Sequence, residues 1–196
     1  MSRLILASRS PRRCELLSRL GFPFETVVPD LDETCSLPVD KAVQELSRRK
    51  AAAVAEKVPH AFIVAADTLV SIGSHTLGKP SCPEDAVRML TLLSGQTHQV
   101  FSGITVISPE GMVRTGFDRT DVTFCDIPRE EIMAYVRSGE PLDKAGSYAL
   151  QGRAGLWVVR LEGSDTSVIG LPLYLLRQLL LETGYPLTSS MESSTM

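Results

Sequence analysis

Residues 4–13 of the chain read LILASRSPRR, an apolar run followed directly by a serine- and arginine-rich segment. The apolar residues 4–7 predict a short buried strand. Ser10 suits the N-cap of a helix and Pro11 its first position, and a stripe of leucines at 16, 17 and 20 ends at Gly21. The sequence therefore predicts a strand, a tight loop and a helix in immediate succession.

Arginines crowd the start of this predicted helix. Residues 1–13 contain four arginines and no acidic residue, and Arg12 and Arg13 fall in the first helical turn. A helix N-terminus already carries partial positive charge and free N–H groups, so cations there are unfavourable unless an anion binds. The pattern is compatible with a phosphate-bearing ligand, and also with two solvated arginines at an exposed helix start.

Composition restricts the class of protein. The chain has 196 residues, of which 43% are hydrophobic, and a net charge of −3. This length predicts one domain, or two small lobes that share a core, and the composition excludes disorder for most of the chain. The acidic balance argues against a nucleic-acid polymer as partner, and no apolar segment approaches the ~20 residues of a membrane span. The four scattered cysteines indicate reduced thiols in a cytoplasmic protein rather than a zinc site.

The rest of the chain predicts an α/β fold, in which a mixed, twisted sheet with hairpins is flanked by helices. Helices are predicted at 38–58, from a Ser81–Glu84 capping box to Ser94, at 128–137 and at 171–183. Strands are predicted at 61–72, with a short return strand after the turn at 73–74, at 100–107 and 112–124 as a long hairpin, and at 156–161. We expect residues 1–187 to form one domain and the polar residues 188–196 to be a disordered tail.

Two charged residues interrupt these apolar patterns. Lys50 falls on the apolar face of the helix at 38–58, so either its stem reaches an edge or its ammonium reaches a carboxylate or a phosphate. Asp67 is the single acid of the apolar run 61–70 and must be paired, metal-bound or at a strand end facing a cleft, unless backbone amides satisfy it. Such an acid is a candidate Mg²⁺ ligand or general base. Glu33 could supply a second carboxylate, although in isolation it is more simply a solvated loop acid.

Other features carry weaker signals. Gly78-Lys79-Pro80 contains the Gly-Lys pair of a phosphate loop but lacks the full pattern of that loop. Residues 140–153 are irregular and polar, which is typical of functional loops and of ordinary connections alike. The histidines at 60, 75 and 98 show no spacing that indicates a metal site or a catalytic triad, and Trp157 is expected in the core.

Six motifs occur in order along the chain, and together they resemble the Maf family of nucleoside triphosphate pyrophosphatases over residues 3–186. The motifs are LASxSPRR at 6–13, Lys-Ala at 50–51, Ala-Asp-Thr at 66–68, Gly-Lys-Pro at 78–80, LSGxxH at 93–98 and DKAGxYxxQG at 143–152. The last motif resembles the subgroup that acts on dTTP and UTP, because the m7GTP-type subgroup lacks its Tyr-x-x-Gln-Gly ending.

The resemblance implies hydrolysis of a nucleoside triphosphate to the monophosphate and pyrophosphate, with a divalent cation, Mg²⁺ or Mn²⁺. It implies a Maf/ITPase-like fold, a single domain of two lobes around a cleft. A homodimer in the cytoplasm is also implied, with a role in division arrest or in nucleotide-pool house-cleaning.

The resemblance also implies roles for individual residues. Asp67 matches the family's proton acceptor, and Glu33 and Lys50 match other catalytic positions, as does Lys79. The positions matched for nucleotide selectivity are Arg12, Thr68 and Gln151. We expect the phosphates to be held by Ser8, Arg12, Arg13, Lys50 and Lys79, and the metal by Glu33 and Asp67.

Gln151 is the candidate for reading the base. Its amide both donates and accepts, so it could pair with the O4/N3–H edge that uracil and thymine share and cytosine reverses. Two competing interpretations stay open at this point. One is a house-cleaning pyrophosphatase for purine nucleotides of the ITP or XTP type, and the other is a nucleotide-binding regulator of cell division with incidental hydrolysis.

Overall fold

The computed structural model describes residues 2–188, so most of the tail predicted at 188–196 lies outside the described residues. The strands are β1 (Leu4–Leu6), β2 (Glu25–Thr26), β3 (Phe62–Ile72), β4 (His75–Leu77), β5 (Thr97–Ile107), β6 (Val113–Phe124) and β7 (Val158–Glu162). The helices are α1 (Pro11–Ser18), α2 (Val39–Ala55), α3 (Pro83–Leu93), α4 (Arg129–Arg137), α5 (Asp165–Ile169) and α6 (Leu173–Glu182). None of the helices in the described part of the chain has the length and apolar character needed to cross a bilayer.

The seven described strands form one mixed sheet in the order β2-β1-β3-β5-β6-β7, and β4 pairs with β3. Strand β1 runs parallel to both β2 and β3, whereas β4 returns antiparallel to β3 and β7 antiparallel to β6. The predicted hairpin is present. In its turn, the Gly111 N–H donates to the Ser108 carbonyl at 2.9 Å. The predicted α/β class, with a mixed, twisted sheet and flanking helices, is confirmed.

Several local predictions failed: two short elements were missed, and a strand boundary and the hydrogen bonding at helix N-termini differ from expectation. The capping box predicted at Ser81 and Glu84 is wrong: Cys82 occupies the N-cap, and Asp85 accepts hydrogen bonds from both the N–H and the hydroxyl of Ser81. At α1, Ser10 occupies the predicted N-cap position without a side-chain cap. Strand β7 begins two residues later than predicted, because a 3₁₀ turn at Arg153–Trp157 precedes it. The sequence analysis missed the short elements β2 and α5.

The chain divides into two compact units. In the described residues, the first contains 2–67, 102–118 and 170–188, and the second contains 68–101 and 119–169. One hydrophobic cluster of the first unit joins β1 and β3 to the buried face of α2 through residues such as Ile5, Ile63 and Val54. The second unit has its own cluster, centred on α3, α4 and β6, and Trp157 lies in it as predicted.

Candidate functional site

Lys50 connects two carboxylates in the first unit. The side chain lies on the buried face of α2 and is only 6% exposed. Its Nζ donates to Asp67 Oδ1 at 2.6 Å and forms an ion pair with Glu33 Oε2 at 3.0 Å. Asp67, on β3, is equally buried, whereas about half of the Glu33 side chain is exposed. Of the alternatives left by the sequence, Lys50 therefore reaches a carboxylate, and Asp67 is paired with a side-chain cation.

Close packing of α2 against β5 places Lys50 at this position. A Cβ at Gly103 would lie 2.3 Å from the carbonyl oxygen of Val43, so only glycine lets the strand contact the helix backbone here. One turn before Lys50, the Ser47 hydroxyl lies 2.9 Å from that of Thr105, which is itself 2.9 Å from the Thr115 hydroxyl. Steric contact and buried hydrogen bonds together define where α2 sits on the sheet of this unit.

Helix α1 places Arg13 within electrostatic range of the same acids. The Arg13 Nε donates to the carbonyl of Gly170 at 2.8 Å. Burial lowers the pKa of Arg13, while the negative charges of Asp67 and Glu33 act in the opposite direction and the neighbouring Arg12 adds to the lowering. Arg13 is half-buried and experiences the charges of both carboxylates.

A serine hydrogen bond restrains the loop before α1, and the arginines at 3 and 9 lie on the surface. Ser8 is 5% exposed, and its hydroxyl accepts the N–H of Ser10 at 3.0 Å. Arg9 is exposed. Arg3 makes a two-pronged ion pair with Glu25 on the surface, with both distances at 2.8 Å. Of the four arginines, Arg3 is therefore engaged by Glu25.

The remaining predicted site residues belong to the second unit. Thr68 follows Asp67 on β3 and is half-buried, while Lys79 is exposed in the loop after β4. Gln151 is exposed in the turn that precedes Arg153–Trp157. Two of the sequence motifs meet in this unit, because the N–H of Gly146 donates to the carbonyl of Gly78 at 3.0 Å.

His98 and Tyr148 form a buried pair that the sequence analysis did not single out. The His98 Nε2 lies 2.8 Å from the Tyr148 hydroxyl, and His98 is fully buried. Burial lowers the pKa of His98 to about 4 and raises that of Tyr148 above its ordinary value. His98 and Tyr148 each lie in one of the six motifs. Their occurrence in those motifs was the sequence signal that could have indicated the pair.

The carboxylates of Asp67 and Glu33 are suited to a divalent cation. Both have an oxygen within 3.0 Å of one ammonium nitrogen, so both can face a single positive charge. Carboxylate oxygens are hard ligands of the kind that Mg²⁺ and Mn²⁺ prefer. Residues 2–188 contain no group of three or more histidine, cysteine or acidic side chains arranged around a common metal position.

The family model described as Maf-like protein matches residues 3–183. This chain belongs to the Maf family. Among the relatives of this Maf chain, the dTTP/UTP pyrophosphatase of Bacillus cereus strain G9842 is 48% identical over 176 residues, which cover 88% of this chain and 91% of the relative. The dTTP/UTP pyrophosphatase of Bacillus anthracis strain CDC 684 / NRRL 3495 gives the same identity and coverage.

A solved structure supports the Maf fold independently. The Ham1 protein of Staphylococcus aureus matches with a TM-score of 0.55 at 16% identity, over 92% of this chain and 99% of that protein. At such low identity the likeness shows the fold alone.

Proposed function

We propose that this Maf-family chain hydrolyses dTTP and UTP to the monophosphate and pyrophosphate. The observation that carries the proposal is the buried contact of Lys50 with Asp67 and Glu33, beside the arginine-rich start of α1. The 48% identity to relatives named dTTP/UTP pyrophosphatases supports the choice of substrate. A buried cation with two carboxylates provides the charges that a metal–triphosphate complex requires.

The cationic residues are proposed to hold the phosphates. Arg12, Arg13 and Lys50 supply positive charge in the first unit, and the buried Ser8 hydroxyl and the N–H groups at the start of α1 supply donors. Lys79, which is exposed in the second unit, is proposed as a further phosphate ligand. Neutralising the triphosphate lowers the barrier to attack by water on the α-phosphorus, with pyrophosphate as leaving group.

Asp67 is proposed as the proton acceptor for the attacking water. A carboxylate hydrogen-bonded to the attacking water accepts a proton from that water as the new P–O bond forms. Asp67 and Glu33 would also hold Mg²⁺ or Mn²⁺, which commonly binds through one or two carboxylates together with substrate phosphates and water. The metal, when bound, would supply charge neutralisation at the phosphates.

Three residues are proposed to select the nucleotide: Arg12, Thr68 and Gln151. Gln151 is exposed, and its amide is free to present one donor and one acceptor to the O4/N3–H edge of uracil or thymine. Cytosine presents the reversed pattern at the same edge, so we expect UTP and dTTP to be preferred over CTP.

A panel of triphosphates with product analysis tests the proposed reaction. We expect UTP and dTTP to be hydrolysed fastest, with pyrophosphate as the primary product, and Asp67→Asn to lower kcat about 100-fold or more. Preference for ITP or XTP would favour a purine house-cleaning enzyme instead. Orthophosphate as the primary product would overturn the reaction type. Nucleotide binding by Asp67→Asn, with a cellular effect that persists without turnover, would favour the regulatory interpretation.

We further propose that residues 1–187 act as one catalytic domain, and that the enzyme is a cytoplasmic homodimer. Family resemblance supports the dimer, and the free thiols of Cys14, Cys35, Cys82 and Cys125 are compatible with a reducing compartment. Size-exclusion chromatography with light scattering would test the oligomeric state, and the mass of a monomer would contradict the dimer.

A further inference from the structure

The turn that carries Gln151 is held by Tyr135, on helix α4, and by Glu140, three residues after the end of that helix. The hydroxyl of Tyr135, which is 3% exposed, accepts the N–H of Ala149 at 3.3 Å. The same hydroxyl donates to Glu140 Oε1 at 3.0 Å. Glu140 Oε1 also accepts the N–H of Arg153 at 3.2 Å. One tyrosine and one carboxylate oxygen thus bind the backbone on both sides of Gln151.

Gly152 shows how closely the Glu140 carboxylate lies against this turn. A Cβ at position 152 would be 1.9 Å from Glu140 Oε1 and 2.9 Å from its Cδ. The Gly152 N–H also donates to the carbonyl of Ala149 at 3.1 Å, which closes the turn around Gln151. A side chain at position 152 would therefore displace the Glu140 carboxylate from this turn.

We propose that Tyr135 and Glu140 are positioning residues that set where the Gln151 amide lies, and so determine the preference for UTP over CTP. The inference rests on the proposed function, in which Gln151 reads the base. Glu140 and Tyr135 act only through the backbone at Ala149 and Arg153. A hydrogen-bonding amide discriminates between two base edges only if its own position is restrained, because a mobile amide can rotate to satisfy either edge.

A second carboxylate provides a matched control. Glu131, on helix α4 with Tyr135, accepts the indole N–H of Trp157 at 2.8 Å. That contact lies in the same unit, but its donor is the Trp157 side chain rather than the backbone beside Gln151. Glu131→Ala therefore shows how removal of a carboxylate acceptor from α4 affects activity when the hydrogen bonds beside Gln151 stay in place.

The experiment measures kcat and KM for UTP and for CTP in five variants, Gln151→Ala, Glu140→Ala, Glu140→Gln, Tyr135→Phe and Glu131→Ala, each checked by thermal melting. We expect Gln151→Ala and Glu140→Ala each to lower the UTP-to-CTP ratio of kcat/KM about tenfold, the effect of one lost hydrogen bond, mainly through KM for UTP. Glu140→Gln retains an oxygen acceptor and should retain the ratio. Tyr135→Phe should lower the ratio, and Glu131→Ala should not.

The outcomes separate the two proposals. If Gln151→Ala lowers the ratio while Glu140→Ala and Tyr135→Phe leave it unchanged, the positioning role is wrong and base reading by Gln151 stands. If Gln151→Ala itself leaves the ratio unchanged, base reading fails and the positioning role fails with it. Equal losses of activity toward UTP and CTP in Glu140→Ala would indicate a merely structural role and would also overturn the inference.

Discussion

Lys50 shows how one residue can link folding to chemistry. A cation on the buried face of a helix is unfavourable unless a partner compensates its charge, and here Asp67 and Glu33 do so at 2.6 and 3.0 Å. The pair also keeps Asp67 hydrogen-bonded directly after the apolar run 62–66 of β3. The same two side chains are those that we propose to contact phosphate, water and metal, so their substitution should affect stability as well as turnover.

Replacing Lys50 with methionine tests the energetic side of this link. We expect Lys50→Met to lower the free energy of unfolding by about 3 kcal/mol, because Asp67 loses its buried partner. The double variant Lys50→Met/Asp67→Asn should recover part of that loss, as measured by urea denaturation. Arg48→Met is the control, since the exposed pair of Arg48 with Glu45 should contribute less than about 1 kcal/mol. Equal losses in Lys50→Met and Arg48→Met would contradict the expectation.

At the scale of elements, the contact between α2 and β5 determines whether Lys50 reaches Asp67. A 17-residue helix has many ways to lie on a sheet, and its apolar face restricts only its rotation. Gly103 and the Ser47–Thr105 hydrogen bond restrict its distance from the strand and its position along it.

Gly103→Ala should therefore disturb both packing and activity. The added methyl would meet the backbone of Val43, which cannot move without shifting α2, and we expect a loss of about 2 kcal/mol in the free energy of unfolding with a lower kcat. Gly116→Ala, on β6 of the same unit, is the control, because its methyl would meet the mobile end of Leu175 at 3.1 Å. Unchanged kcat in Gly103→Ala would show that α2 is not positioned by this contact.

At the scale of the whole molecule, one buried imidazole should make stability depend on pH. His98 is neutral in the folded protein, with a pKa of about 4 in place of 6.5, because burial disfavours its charged form. Asp121 partly offsets this lowering, and the neutral Tyr148 hydroxyl faces the ring. Between these two pH values the unfolded chain binds a proton that the folded chain does not, so stability falls as the pH is lowered through that window.

We expect this site to remove up to about 3 kcal/mol from the free energy of unfolding between pH 7 and pH 4, and to contribute no pH dependence above pH 7. Denaturation of His98→Gln across that range should show a flatter slope than the unsubstituted chain, whatever its absolute stability. His75→Gln is the control, because His75 is exposed and should leave the slope unchanged. Identical slopes in all three proteins would contradict the assignment.

Long periodic segments, and the short strands β1 and β4 beside clear turn signals, could be predicted from the sequence, whereas β2, α5 and the N-cap of α3 could not. Helix α2 and the strands β3, β5 and β6 are each long enough for the hydrophobic pattern to define the element. Strand β2 has two residues and α5 has five, too few for a period to emerge. Several neighbouring side chains at the start of α3 can accept a backbone hydrogen bond, and it is Asp85 that accepts the N–H of Ser81.

The sequence by itself determined the longer elements, the anomalous positions of Lys50 and Asp67, and the family. Only the tertiary structure decided that these two side chains meet and that Glu33 joins them. It also decided that Glu140 binds the backbone beside Gln151. The physical reason is that a residue's periodicity reports which face is buried, whereas a hydrogen bond requires two groups distant along the chain to approach within about 3 Å. That approach depends on helix packing, strand register and close glycine contacts, which no single segment contains.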